Sequence, residues 1–204
     1  MWLSNPPKIV KGVYPSLCWE IPTDKKEIFI TFDDGPTPGI TDKVLDMLRQ
    51  YDAKGTFFCL GKNASKYPEL FNRIRKEGHA IGNHTYNHIN GWKSQAGDYE
   101  REIKHTEEVF ETNLFRPPYG KMRPTQIKKI SKSYRIIMWT NLSMDFSSKY
   151  TKEDCLRLSM ENLDKGSIVV FHDSEKAKEK MFYALEGLLK YCNENRWICS
   201  PIEL

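Results

Sequence analysis

Glu27-Ile28-Phe29-Ile30-Thr31-Phe32 carries apolar side chains on both of its alternating faces. Such a strand needs cover on both sides, as in a parallel sheet flanked by helices. Ser167-Ile168-Val169-Val170-Phe171 repeats the pattern late in the chain. Shorter strand candidates lie at Thr56–Leu60, His79–Gly82, Leu114–Arg116, Tyr134–Trp139 and Trp197–Cys199. Between them, residues 41–51 place Val44, Leu45 and Leu48 at helical spacing. Residues 66–77 do the same with Leu70, Phe71 and Ile74, closed by Gly78 as a C-cap. Residues 98–112 read as a helix capped by Asp98, with Ile103, Thr106 and Phe110 along one side. Further helices are predicted over 124–133, over 152–164 with Thr151 and Asp154 at capping-box spacing, and over 176–195. About seven strands and six helices in strict alternation imply parallel strands joined by helical crossovers.

The chain has 204 residues, enough for one compact domain with a sizeable core, and its 39% apolar and 28% charged residues argue against disorder. The net charge of +4 comes from lysines and arginines scattered among acids, without a dense basic run interleaved with aromatics. Nucleic-acid binding is therefore not expected. No stretch approaches the length of apolar sequence that a membrane-spanning helix requires. The five cysteines, Cys18, Cys59, Cys155, Cys192 and Cys199, form no Cys-x-x-Cys pair and read as reduced thiols in or near the core. A Cys192–Cys199 disulfide stays open. The first residues lack an apolar signal region and a small-residue cleavage site, so the expected location is cytoplasmic. An exported or envelope location follows instead if an export signal lies outside this chain.

Polar clusters follow the apolar runs: Asp33-Asp34, His84–His88, Arg116–Gly120, Asp145 and His172-Asp173. In parallel α/β folds the C-terminal ends of the strands gather on one rim, where active sites assemble. Asp34, His84 and His88 form a two-histidine, one-carboxylate set able to hold a divalent metal and leave a position open for water. The two imidazoles, four residues apart, are expected to share a face on a helical turn. Neighbouring side chains on an extended backbone point to opposite sides, so Asp33 is free for another task, taking a proton from that water. The rigid loop Arg116-Pro117-Pro118-Tyr119-Gly120 offers a guanidinium to orient Asp33 and the Tyr119 amide for a developing oxyanion. His172 is placed for general acid work, with Asp145 positioned to keep it protonated. His79 and His105 read as structural or surface residues, and Asp173 as a cap for the next helix.

These clusters resemble one known family. Thr31–Pro36, His84–His88, Arg116–Gly120, Trp139–Phe146 and Leu163–Asp173 look like the five successive motifs of the carbohydrate esterase family 4 polysaccharide deacetylases, the NodB-like domain. The resemblance runs in order from about Ile28 to Ile202. It implies an α/β fold, a distorted (β/α)7 barrel in a single domain. Residues 27–204 would be the catalytic domain and residues 1–26 an N-terminal extension packed on the barrel. It implies Asp33 as general base, held by Arg116, and Asp34, His84 and His88 as ligands of a divalent metal. Zinc is the expected ion, with cobalt, nickel or iron(II) as alternatives. His172 would be the acid, tuned by Asp145, and the Tyr119 amide would support the oxyanion. Leu163 and Val170 are the implied lining for the acetyl methyl, with Pro117, Trp139 and Phe146 completing the substrate pocket. The fourth motif departs from the usual pattern: Leu142 stands where relatives often carry an acid, and Phe146 replaces a tryptophan.

The expectation is a monomeric metal-dependent hydrolase that removes N-acetyl groups from N-acetylglucosamine-type sugars. Peptidoglycan, a chitin-like oligomer or a sugar precursor would each qualify as substrate. The alternatives are an O-acetyl esterase or deformylase of a related sugar, and a metal-bearing carbohydrate-binding module without turnover.

Overall fold

A computed structural model describes residues 4–203. Met1–Leu3, where the expected N-terminal extension begins, and Leu204 lie outside the described residues. The chain opens with α1 (Lys8–Val13), β1 (Leu17–Cys18), β2 (Glu27–Asp33), α2 (Thr41–Gln50) and β3 (Gly55–Cys59). Next come α3 (Gly61–Lys66), α4 (Pro68–Lys76), β4 (Ala80–Asn83), α5 (Ala96–Glu107) and β5 (Leu114–Phe115). A short 3-10 turn (Pro118–Gly120) precedes α6 (Pro124–Ile130), β6 (Arg135–Ile137) and β7 (Asn141–Leu142). The chain ends with α7 (Lys152–Met160), β8 (Ile168–His172), α8 (Lys178–Glu194) and β9 (Ile198–Cys199).

The strands run β1-β6-β5-β4-β3-β2-β8-β7, with β9 also beside β2, and the pairings among the described residues are parallel. The sheet curls into a half-barrel within one α/β domain. Beyond β7 the chain uses a loop: the Leu142 N–H donates to the Ser4 carbonyl at 2.8 Å. The stretch before residue 27 thus supplies β1 to one edge and Ser4 to the other. β1 and β7, two residues each, are too short to leave a periodic signature. The helix expected over 66–77 is α4, and proline sets its start two residues later than expected. Pro68 lacks an N–H and starts α4 at its first turn, while α3 closes just before it. The helix read from Asp98 begins earlier, with Gln95 as N-cap, and Asp98 instead places its charge in the first turn. Thr151 and Asp154 do form a reciprocal capping box at α7.

All seven residues of β2 are buried, and its alternation divides them between two cores. Ile28, Ile30 and Phe32 pack outward with Leu45, Leu48, Phe57, Phe171, Leu185 and Leu188 beneath the helices. Phe29 faces inward with Phe58, Leu114, Ile137 and Ile168. Each such side chain contributes about 1.5–3 kcal/mol on burial. Period-two alternation puts Thr31 and Asp33 on the same inward face as Phe29. The barrel interior therefore changes along β2 from an apolar floor to a hydroxyl and then to a carboxylate at the mouth. The five cysteines are free thiols; Cys59, Cys155, Cys192 and Cys199 are buried. No described helix is long and apolar enough to cross a membrane.

Candidate metal and acid–base centre

The mouth of the barrel opens into a cavity of about 540 Å³, lined in part by Asp33, Asp34, His84, His88 and His172. Each comes from the C-terminal end of a strand or the loop just after it. Asp33 is the last residue of β2, and Asp34 follows with a left-handed backbone, φ 83°. That twist brings both carboxylates to one cavity, whereas a continued strand would have separated them. Asn63 Nδ2 donates to the Asp34 carbonyl at 2.8 Å, tying the turn to α3. Gly35 comes next, and a Cβ there would collide with the Asp173 carboxylate.

His84 and His88 do not sit on a helical turn. They occupy the loop after β4, in which Thr85 and His88 are left-handed, φ 64° and 60°. The loop achieves by reversal what helical spacing was expected to provide. His84 Nε2 lies 3.8 Å from Asp34 Oδ1, and His88 Nε2 lies 3.2 Å from the same oxygen. One donor atom from each residue lies within 4.8 Å of the others. A tetrahedron with bonds of about 2.1 Å has edges of about 3.4 Å, so the set fits a small divalent ion. Two further observations support that fit. Asp34 Oδ1 is buried without a hydrogen-bond partner, and a buried carboxylate oxygen left so is costly unless a cation meets it. Burial also pushes the His84 imidazole down, and burial together with His84 lowers His88 to about 4, leaving both rings neutral ligands at pH 7. His84 Nδ1 lies 2.7 Å from the Arg116 carbonyl. A carbonyl only accepts, so Nδ1 carries the proton and Nε2 presents its lone pair.

Arg116, fully buried just beyond β5, is the central organiser. Its Nη1 donates to Asp33 Oδ1 at 2.8 Å and to Thr31 Oγ1 at 2.6 Å; Nη2 donates to the Met138 carbonyl at 2.9 Å and Nε to the Ile137 carbonyl at 3.2 Å. The guanidinium lies 4.1 Å above the Phe58 ring. Burial alone would push the Asp33 carboxyl up; the guanidinium beside it, aided by the protonated His172, outweighs burial and holds it below the usual carboxylate range.

On the other wall, Asp145 is fully buried and grips His172 twice. Oδ2 accepts from the His172 backbone N–H, and Oδ1 lies 2.8 Å from Nδ1, each bond being 2.8 Å. The Phe146 ring meets the imidazole edge-on at 4.8 Å. Burial would lower His172, but the Asp145 carboxylate more than reverses this and raises it to about 9. The imidazole is therefore protonated at neutral pH, with Nε2 left for the cavity.

Tyr119 is left-handed at φ 62°, and its ring packs on His88 at 4.6 Å. Gly120 is left-handed as well, and a Cβ there would strike Trp139. Trp139, Phe146 and Val170 line the cavity as expected positions do, together with Leu142. Pro117 and Leu163 do not line it. Pro117 is buried beneath the turn that exposes Tyr119, and Leu163 packs against the outer core between sheet and helices. The lining place expected for Leu163 falls to Leu142, whose strand β7 lies beside β8 and points at the mouth. Gly120, Lys121, Ser174 and Lys176 also line the cavity. Gly120 belongs to the Arg116–Gly120 cluster, and the only signal in sequence for the other three is adjacency to that cluster and to His172-Asp173. Asp173 does not cap α8, which starts after Ala177. Its Oδ1 accepts from the Gly35 N–H at 3.0 Å and its other oxygen bonds the Thr41 hydroxyl, so it braces the turn carrying Asp34. His79 is structural: its Nδ1 accepts from the Gly55 N–H at 3.1 Å, and burial lowers it to about 4. His105 stacks on Tyr86 and does not line the cavity.

A curled parallel half-barrel with a two-histidine, one-carboxylate cluster between a paired acid and a paired imidazole defines a class of metal-dependent hydrolase. Residues 20–137 match the polysaccharide deacetylase family. A peptidoglycan-N-acetylglucosamine deacetylase of Bacillus cereus is 36% identical over 179 residues, covering 84% of this chain and 84% of that protein. A second from the same organism is 36% identical over 160 residues, 75% of this chain, and the chain spans only 58% of that relative's length. The crystal structure of the Bc1960 peptidoglycan N-acetylglucosamine deacetylase, solved with 4-naphthalen-1-yl-N-oxidanyl-benzamide, superposes with a TM-score of 0.86 at 30% identity. The match covers 95% of this chain and 94% of that one. The chain belongs to the polysaccharide deacetylase family, carbohydrate esterase family 4.

Proposed function

We propose that this chain hydrolyses the N-acetyl group of an N-acetylglucosamine-type sugar within a glycan. One observation carries the reading. Asp33, clamped by Arg116, and His172, clamped by Asp145, face a single cavity with the Asp34–His84–His88 cluster also in its wall. Base and acid are thus held ready in opposite protonation states at neutral pH, the arrangement that amide hydrolysis needs.

Asp34, His84 and His88 are our ligands for a divalent ion, and zinc suits two imidazoles and one carboxylate. Such an ion, when bound, supplies Lewis acidity to the acetamide carbonyl and makes water more acidic. The rest falls to the side chains. Asp33 accepts the proton of the attacking water, while Arg116 keeps its carboxylate ionised and aimed. The Tyr119 backbone N–H is our donor to the oxyanion. His172 gives its Nε2 proton to the departing sugar nitrogen as the carbon–nitrogen bond breaks, leaving acetate and a free amine. Asp145 keeps that proton on the imidazole until the nitrogen needs it. Leu142, Val170 and Trp139 offer apolar surface for the acetyl methyl.

The test is acetate release from N-acetylglucosamine oligomers, peptidoglycan glycans, O-acetyl xylan and N-formyl sugars, with zinc, cobalt and nickel forms. Release from the N-acetylated amino sugars supports the reading. Tight binding of those sugars with no acetate from any of them would overturn it in favour of a binding module. Turnover confined to esters or formyl groups would overturn the assigned acyl chemistry.

A further inference from the structure

We propose that Cys192 and Cys199 are the site of a disulfide that pins the end of α8 to β9, formed when the chain folds in the presence of a disulfide oxidant such as oxidised glutathione. The pair lies apart from the cavity at the barrel mouth. Leu185, Leu188, Leu189 and Cys192 of α8 enter the outer core, and Cys199 enters the same core from β9. Cys192 is 2% exposed and Cys199 8%, whereas Ile198 beside it is 53% exposed. The register of β9 on β2 sets that orientation, with Cys199 opposite Ile28. The link between helix and strand is tight. Arg196 is left-handed, φ 57°, and its N–H donates to the Asn193 carbonyl at 3.3 Å, while the Trp197 N–H returns to the Cys192 carbonyl at 2.8 Å. These two bonds close α8 in a Schellman turn, so the strand starts directly beside the last inward residue of the helix. The Cys199 carbonyl is held in turn by the Lys54 N–H at 2.9 Å.

Two fixed backbones thus bring the thiols together. The S–H groups meet directly: the Cys192 thiol, together with burial, pushes Cys199 above the ordinary thiol range. A cavity of about 250 Å³ borders both, with Leu189 and Trp197 also in its wall. It gives the sulfurs room to close to bonding distance without overpacking the core. Cys18 and Cys59, by contrast, donate to the carbonyls of Glu20 and Phe57. The chemistry is thiol–disulfide exchange. One cysteine, as thiolate, attacks a sulfur of oxidised glutathione and releases one glutathione. The other attacks the protein sulfur of the mixed disulfide and releases the second. Two protons and two electrons pass from the protein thiols to the oxidant, which leaves as two glutathione thiols. In the folded chain both thiols are buried, which slows exchange. The bond therefore forms as the C-terminal segment docks, and burial then shields it from reductants.

The experiment refolds the full chain from urea with oxidised glutathione and, in parallel, with a reductant. Free thiols are counted in denaturant, then alkylated, and the protein is digested with trypsin without reduction. Trypsin cuts after Lys190 and Arg196, so the two cysteines fall in separate peptides, 191–196 and 197–204, which only a disulfide keeps joined. The expected result is loss of two of the five free thiols, those two peptides recovered as one joined species, and a Tm about 5 °C or more above that of the reduced form. Cys199→Ala should melt alike after both refolding conditions. Five free thiols after oxidative refolding, a bridge through Cys18, Cys59 or Cys155, a glutathione adduct in place of the joined peptides, or an oxidised form that melts no higher than the reduced one would each overturn the proposal.

Discussion

Replacing Arg116 by lysine keeps the positive charge but removes the geometry that uses it. The guanidinium reaches four acceptors from three nitrogens: Thr31 Oγ1, Asp33 Oδ1 and the carbonyls of Ile137 and Met138. A lysine ammonium is one nitrogen at the end of a flexible stem, and it cannot span acceptors so arranged. If it stays with Asp33 and Thr31, the two carbonyls lose a charged donor in a fully buried place. At about 1.5 kcal/mol for each bond to a charged group, Arg116→Lys is expected to cost about 3 kcal/mol. For a chain of this length that lowers Tm by about 10 °C. Arg116→Met also strips Asp33 of its counter-charge, and breaking a buried pair costs about 3–5 kcal/mol more. The sum approaches the whole stability of many domains, so lysine is the informative variant. Urea unfolding should show a lower midpoint with an unchanged slope. A loss under about 1 kcal/mol would mean that water reaches these carbonyls, and the picture of a sealed guanidinium beneath Asp33 would be wrong.

Asp33→Asn should abolish acetate release while zinc affinity, measured by calorimetry, stays near wild type; retained turnover would remove Asp33 from the role of base. Chelation should abolish activity, and zinc at about 100 times its dissociation constant should stabilise the metal-free protein by about 2.7 kcal/mol, an effect that His88→Ala should erase in a thermal melt. His172 is raised from 6.5 to about 9. Its pairing with Asp145 therefore stabilises the fold fully below pH 6.5 and is lost as pH rises through about 9. The alkaline limb of activity should follow the same proton, and Asp145→Asn should move that limb to lower pH; an unmoved limb would exclude His172 as the acid. Leu163→Ala should cost about 1–2 kcal/mol in unfolding with KM unchanged, because Leu163 packs on the outer core. A KM change confined to that variant would return it to the pocket.

The alternation of apolar strands and amphipathic helices was legible in the chain because burial on both faces of β2 and β8 leaves an unbroken apolar run. The positions of Asp33, Asp34, His84, Arg116 and His172 were legible for a related reason: each follows a strand segment, and parallel topology brings strand ends to one rim. Which side chains meet there was not. Leu142 replaces Leu163 at the pocket because β7, only two residues long, lies beside β8. Asp173 braces Gly35 across 138 residues of chain rather than capping its own helix.

Sequence by itself determined the ingredients: two adjacent acids, paired imidazoles, an arginine on a rigid proline loop and a second histidine–aspartate couple, following the strand segments of a parallel fold. Only the tertiary structure decided how they converge. Left-handed residues at Asp34, Thr85 and His88 turn both carboxylates and both imidazoles into one cavity. Backbone handedness at a loop is set by what the neighbouring elements will hold in place, here Asp173 against Gly35 and Asn63 against the Asp34 carbonyl. Local residue type cannot carry that information, because the partners that impose it are remote in the chain.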